Sequence, residues 1–392
     1  MNTLNKPFVQ PDTRPLKERV ATLGVFLANG FGIGAWAVEV PRIKESLALS
    51  DTSLGIALFA FALGAIVAMP LAGQLAPRFG SGRATALLGA AFVVALPLPA
   101  FAPNMATLCI ALLALGAANG ALDVSMNGHA STIETQWKSP IMSSFHASWS
   151  AGGLLGAATG AMLQKGGIGV IGGLVLPDVF IAALILAAAL LALRDLGPRV
   201  AASSSGFAWP TGAVMKLALL AFLCMLVEGA VADWSAVYLR SALKGEASVA
   251  AVGYSAFAFS MAACRFVGDV SVRRFGSSKV IGFGGLLAVA GFTLVLSLPT
   301  VFTACVGFAM VGVGLANIVP VIFSAAGRST ATPAIGVSMA ATAGYAGFLV
   351  GPPLIGLGAG LFGLRLALCV LVLATMVVCL LGGKAVRSAR LV

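Results

Sequence analysis

Twelve apolar segments of about 20 residues, each bounded by glycine, proline or charge, follow one another along the sequence. Their approximate limits are residues 20–40, 52–76, 83–101, 105–131, 141–164, 173–193, 213–239, 247–271, 279–298, 301–326, 334–361 and 364–382. The chain of 392 residues is 59% hydrophobic and 9% charged, whereas a soluble domain carries about 25% charged residues. With a mean hydropathy of +1.01, it reads as an all-α polytopic membrane protein.

The formal net charge of +11 would suggest nucleic acid in a soluble chain, but here the bases sort by side. With the N-terminus inside, Lys6, Arg14, Lys17, Arg19, Arg78, Arg83, Lys138, Arg194, Arg199, Lys216, Arg273, Arg274, Lys279, Arg328, Lys384, Arg387 and Arg390 fall on the inner side. Arg42, Lys44, Lys165, Arg240, Lys244 and Arg365 fall outside, so the positive-inside rule places both termini in the cytoplasm. The cysteines Cys109, Cys224, Cys264, Cys305, Cys369 and Cys379 all sit in apolar runs without CxxC or Cys/His spacing, which points to packing and not to zinc or disulfides. No nucleophile/base pair, metal cluster or phosphate loop is present, so neither an enzyme nor a cofactor is expected.

Residues 1–19 read as a cytoplasmic tail, 20–193 as a six-helix bundle, 194–212 as a Ser-, Gly- and Pro-rich cytoplasmic linker, 213–382 as a second bundle and 383–392 as a tail. The halves echo each other. APRFGSGRA (76–84) matches RRFGSSKV (273–280), WSAGGLLG (149–156) matches YAGFLVGPP (345–353), and LANGFGIGAW (27–36) is echoed by LVEGAVADW (226–234). Duplicated halves with a site between them are a known way to build alternating access.

Spans three, nine and twelve have no ionisable residue in their interiors, and span six has only Asp178 near its start. These helices can turn most of their surface to lipid. The first span of each group of three instead holds interior polar residues: Asn29, then Asn119, Asp123 and Asn127, then Glu228, then Asn317. Four such helices should gather around a wet centre. Gly116, Asn119, Gly120, Asp123 and Asn127 recur at three and four residues and so share one helix face. Close helix packing accounts for the glycines but not for a carboxyl whose insertion costs roughly 2.5–3.5 kcal/mol.

Asp123 lies roughly 12 Å from the inner end of its helix, with His146 of span five at comparable depth. Glu228 lies near the middle of span seven, about 22 Å in. Burial disfavours the charged form of a carboxyl, so Asp123, Glu228 and His146 are the candidate proton-coupling groups. A structural donor role for His146 stays equally open. The nearest candidate partner of Glu228 is Arg265, which could instead pair with Asp269 four residues on. Asn29, Asn119, Asn127, Trp149, Asn317 and Tyr345 are the expected cavity lining, with packing the alternative for the two aromatics.

The loop GQLAPRFGSGR (73–83), with Gly73, Arg78, Gly80 and Arg83, resembles the loop between the second and third helices of the major facilitator superfamily. GDVSVRRFGSSK (268–279), with Asp269 and Arg274, is a weaker copy. Pro77 stands where that family has aspartate, which leaves Asp269 as the helix-end acid to pair with Arg78. The resemblance covers residues 20–382 and implies twelve helices in two pseudo-symmetric bundles. LDVSMN (122–127) is similar to the fucose:proton symporter branch, which implies a proton-coupling role for Asp123 followed by Asn127. The acid which that branch carries in helix one does not carry over, because Ala37 occupies its place and Glu39 lies further along.

The expected function is that of a monomeric, proton-coupled secondary transporter in the inner membrane, working by alternating access. Its partners are a small polar solute, with a monosaccharide as the leading expectation, protons and the lipid bilayer, and not nucleic acid. Proton-driven efflux of drugs or metabolites and passive uniport are the alternatives. Uniport alone needs no titratable acid.

Overall fold

The computed structural model describes residues 15–191, 193, 195, 212–239 and 247–389. Most of the expected tail 1–19 and linker 194–212 lies outside these residues, as do Lys6, Arg14, Arg194, Arg199, Arg240, Lys244 and Arg390. The helices are α1 (Leu16–Ser46), α2 (Asp51–Phe79), α3 (Ser81–Ala95), α4 (Met105–Trp137), α5 (Met142–Lys165), α6 (Val170–Leu191), α7 (Gly212–Val237) and α8 (Ala247–Phe266). They continue as α9 (Gly268–Phe275), α10 (Ser277–Ser297), α11 (Val301–Leu315), α12 (Ile318–Arg328), α13 (Pro333–Phe362), α14 (Leu364–Ala367) and α15 (Cys369–Ser388). Among the described residues, 10 helical segments are long and apolar enough to cross a bilayer, and α8 with α9 forms an eleventh bent by 59°. The 24-residue α5, rich in serine and glycine, completes the expected twelve-helix arrangement.

Local chemistry sets the helix ends, and it repeats between the halves. Asn104 closes a capping box with Thr107 at the start of α4, and Thr300 does the same with Thr303 at the matching start of α11. The two RFG loops each turn on a glycine with positive φ, +92° at Gly80 and +83° at Gly276, where a side chain would be strained.

Packing is mirrored in the same way. The broadest contacts within the first half are α1 with α5 and α2 with α4; their counterparts in the second half are α7 with α13, the broadest there, and α8 with α11, which α10 with α11 exceeds. Small residues allow this close approach, as membrane helices require. A Cβ at Gly152 or Gly156 would strike the backbone carbonyls of Leu27 or Phe31, and one at Gly347 would strike that of Phe222. The helices expected to face lipid, α3, α6, α10 and α15, expose Val94, Leu190, Phe283 and Leu380.

Two expected spans are interrupted. Pro320 has no N–H to give to the carbonyl of Ala316, and the helix breaks there between α11 and α12. The chain also breaks at Val267, between α8 and α9. Each break is braced by a side chain from the other. Arg265 donates Nε to the Ala316 carbonyl (3.2 Å), and Asn317 donates Nδ2 to the Cys264 carbonyl (3.2 Å).

The halves are fastened together at the end that carries most of the bases. Glu134 at the end of α4 accepts the Ile141 and Met142 amides through Oε2 (3.0 and 2.9 Å). Its other oxygen accepts from Arg328 of α12 (2.8 Å) and from the Ser324 hydroxyl. Arg19 of α1 pairs with Asp269 of α9 (3.9 Å), which also accepts the Ser144 amide (3.2 Å). Gly73 and Gly128 press against Ser338 and Ala334 of α13. A cavity of about 700 Å³, lined in part by Glu134, Lys138, Asp269, Ser277 and Arg328, lies among these contacts.

Loss of the Glu134–Arg328 pair should loosen this closure. With Val319→Cys as reporter in a background without native cysteines, Glu134→Gln is expected to raise labelling by an impermeant maleimide from the basic side roughly tenfold. That follows from a charged hydrogen bond worth about 1.5–3 kcal/mol. Unchanged labelling would show that the pair does not hold the halves together.

Candidate functional site

Helices α1, α4, α5, α7, α8, α12 and α13 converge on a cavity of about 80 Å³. It is lined by Phe26, Asp123, Met126, His146, Trp149, Met225, Glu228, Arg265, Val319, Phe323 and Tyr345. With about 30 Å³ per water in the liquid, it has room for a few waters, and a larger solute needs the halves to part. Asp123, Glu228 and His146, from three different helices, thus meet in one place.

The glycine-rich face of α4 divides its work. Gly116 and Gly120 pack against Phe61 and Ala65 of α2, whereas Asp123 turns to the cavity and is half-buried. No cation among the described residues pairs with it. Asn127 donates Nδ2 to the Asp123 backbone carbonyl (2.9 Å) and to its Oδ1 (3.3 Å).

Asn29 and Asn119 stand behind the cavity wall instead of in it. Trp149 donates Nε1 to Asn29 Oδ1 (2.9 Å), Asn29 donates Nδ2 to Asn119 Oδ1 (2.9 Å), and Asn119 donates Nδ2 to the Tyr345 hydroxyl (3.5 Å). This relay runs across both halves and orients the two aromatic residues of the wall. Asn127 is fully buried and bonded back along its own helix. Asn317 is corrected further: it lies at the α11–α12 break and braces α8, because an unwound segment must find partners for its freed carbonyls.

His146 is 9% exposed and sits edge-on between Phe26 and Phe323, with ring centroids at 5.8 and 5.9 Å. Its Nε2 is buried without a hydrogen-bond partner. Arg265 is 5% exposed and donates Nη1 to Ser150 of α5 (2.7 Å), in addition to its bond to Ala316. The ion pairs among the described residues are Arg19–Asp269, Arg42–Glu39, Arg83–Asp195 and Arg328–Glu134. The two expected pairings of Arg265, with Glu228 or with Asp269, are therefore absent from this set. The bend after Phe266 carries Asp269 away from the axis of α8 and toward Arg19.

The loop motif is corrected in the same way. Asp269 does not pair with Arg78, which is exposed. Asp195 takes the acid's place, pairing with Arg83 (3.8 Å) and accepting its amide (3.3 Å) beside Gly80. Arg274 lies over the Phe275 ring at 5.5 Å. His129, which the helical wheel sets apart from Asp123, bonds Ser81 through Nδ1 (2.8 Å) and steadies the same loop. The partnerships of Glu134, Asp195 and Arg328 leave no local spacing signal; only their positions at span ends mark them. Among the described residues, no group of His, Cys, Asp and Glu converges as a metal site.

Asn317→Ala is expected to lower the unfolding free energy by about 1 kcal/mol, since it removes one of the two hydrogen bonds to the Cys264 carbonyl, the other coming from the Val267 amide (3.3 Å). Solute affinity should stay unchanged. A thermal melt and an equilibrium binding measurement on the same preparation check this, and a loss of affinity without a loss of stability would return Asn317 to the cavity.

No protein-family model matches the sequence. An uncharacterised MFS-type transporter of Yersinia pestis is 37% identical over 365 residues, covering 93% of this chain and 94% of that protein. Among solved structures, the Escherichia coli fucose:proton symporter FucP superimposes with a TM-score of 0.75 at 16% identity, covering 96% of this chain and 99% of the other. The proton:xylose symporter XylE, bound to 6-bromo-6-deoxy-D-glucose, gives a TM-score of 0.75 at 11% identity with 95% of each chain covered. At such identities the solved structures speak for the fold, and the Yersinia relative for the family. The chain is a multi-pass membrane transporter and not an enzyme, and it belongs to the major facilitator superfamily.

Proposed function

We propose that this protein is a proton-coupled secondary transporter of a small polar solute, and that its bundles, 20–193 and 213–382, rock about the central cavity. The observation that carries the reading is Asp123: a carboxylate on a membrane-spanning helix, facing the cavity between the halves, with no ion-pair partner among the described residues. An isolated carboxylate in such a place is tolerable when it takes up a proton or meets water. Glu228 faces the same cavity from the other half, and His146 stands beside both as a potential hydrogen-bond partner for the solute.

Alternating access follows from the closure at the basic end. By the positive-inside rule that end is cytoplasmic, so both termini lie in the cytoplasm and the membrane is the inner membrane. Opening that end requires Glu134–Arg328 and Arg19–Asp269 to part, and protonation or solute binding at the cavity can bias that equilibrium. The fold neighbours, a fucose:proton and a proton:xylose symporter, support proton coupling and a hydroxylated solute as one class to test.

The test is solute accumulation in proteoliposomes under an imposed pH gradient, with candidate solutes first found by thermal shift. One pH unit corresponds to about 1.4 kcal/mol per proton, enough to drive about tenfold accumulation. Asp123→Asn is expected to abolish accumulation while equilibrative entry and binding persist. If Asp123→Asn accumulates solute as the parent does, proton coupling through this residue is wrong; if neither accumulates while both equilibrate, the protein is a uniporter.

A further inference from the structure

Glu228 and Arg265 line the same cavity without pairing. Opposite charges in a poorly solvated site attract strongly, and leaving them apart forfeits the interaction that would offset their burial. Arg265 is held back by its bonds to the Ala316 carbonyl (3.2 Å) and Ser150 Oγ (2.7 Å), which occupy Nε and Nη1. Its Nη2 makes no such bond. Glu228 accepts no hydrogen bond from any described residue, and it is half-buried on the cavity wall. The brace that stabilises the broken helices thus also holds the Arg265 guanidinium out of ion-pair contact with the Glu228 carboxyl.

Two further features stand in the same wall, a helix end and an unpartnered hydrogen-bonding nitrogen. The eleven-residue α12 begins at Ile318, and its second residue, Val319, lines the cavity. A helix N-terminus favours an anion. His146, nine-tenths buried, presents an Nε2 with no protein partner in the same wall. Asp123 adds to the negative pole whenever it is ionised. A neutral sugar would satisfy hydrogen bonds here but would leave both fixed charges uncompensated.

We propose that the solute carries its own pair of opposite charges, a protonated amine that meets Glu228 and an acidic group that meets Arg265, on a small amino-acid-like skeleton. The inference rests on the transporter reading above and names its substrate class. Trp149 and Tyr345, held by the asparagine relay, flank the cavity, and an aromatic face is a favourable neighbour for an ammonium group.

The experiment uses the full chain reconstituted in lipid nanodiscs. Equilibrium binding at neutral pH is measured for β-alanine and taurine, for the single-charge fragments propionate and propylamine, and for the neutral sugar L-fucose. At least one zwitterion is expected to bind about thirtyfold or more tightly than either fragment, the scale on which losing one partner of a desolvated charge pair acts. Glu228→Gln is expected to erase the advantage of the zwitterion over propionate while the melting point of the unliganded protein stays unchanged. Arg265→Lys, which keeps the charge but not the bracing geometry, should weaken zwitterion binding and lower the melting point together. Tighter binding of L-fucose than of either zwitterion, indifference of zwitterion binding to Glu228→Gln, or no binding by any of the five would overturn the inference. Failure of the transporter reading is separate: it would show in proteoliposomes as no solute uptake by the parent protein, whatever binds in nanodiscs.

Discussion

Arg265 and Asn317 carry out the exchange on which the centre of this molecule depends. Each stands at a break in a membrane helix, and each donates to a backbone carbonyl at the other break, at 3.2 Å in both cases. The Ala316 carbonyl, which Pro320 cannot serve, depends on Arg265, because an unpaired carbonyl in a hydrocarbon interior costs several kcal/mol; the Cys264 carbonyl accepts the Val267 amide as well. Arg265 then reaches a step further, to Ser150 in the first half of the chain. A local backbone problem is in this way solved by a residue that also touches the solute cavity and the opposite bundle.

Around that centre the bundles are built by close approach of small residues. Without a hydrophobic driving force between helices in lipid, packing and hydrogen bonds must hold them. Gly152 and Gly156 bring α5 against α1, and Gly347 brings α13 against α7, so the two halves use the same device at matching positions. Contacts between halves are less extensive. They combine close packing of Gly73 and Gly128 against α13 with polar links such as Glu134–Arg328 and Arg19–Asp269 near one membrane face. Firm packing within bundles and breakable bonds between them suit bodies that move as units.

The polar relay Trp149–Asn29–Asn119–Tyr345 shows the same economy at the cavity. Two asparagines that face each other inside the protein bond one another and, in doing so, orient the aromatic residues of the cavity wall. Asp123, Glu228 and His146 stand in that same wall without an ion-pair partner among the described residues.

Apolar segment length and base distribution were enough to read twelve helices and two related halves, because a bilayer accepts so few backbone solutions. The carboxylate face of α4 was legible for a similar reason: helical periodicity assigns Asp123 a direction, and burying a charge there demands a purpose. Side-chain partnerships were not legible. Asn317 looked like Asn29 in sequence, yet one braces a broken helix and the other supports Trp149. Asp269 looked like the partner of Arg78 or Arg265, yet a 59° bend turns it toward Arg19. Hydrogen bonds between residues more than 100 positions apart depend on which helices meet and where they break. Segment hydropathy is indifferent to both, so tertiary packing alone decided which polar groups face one another and which are left to face the central cavity.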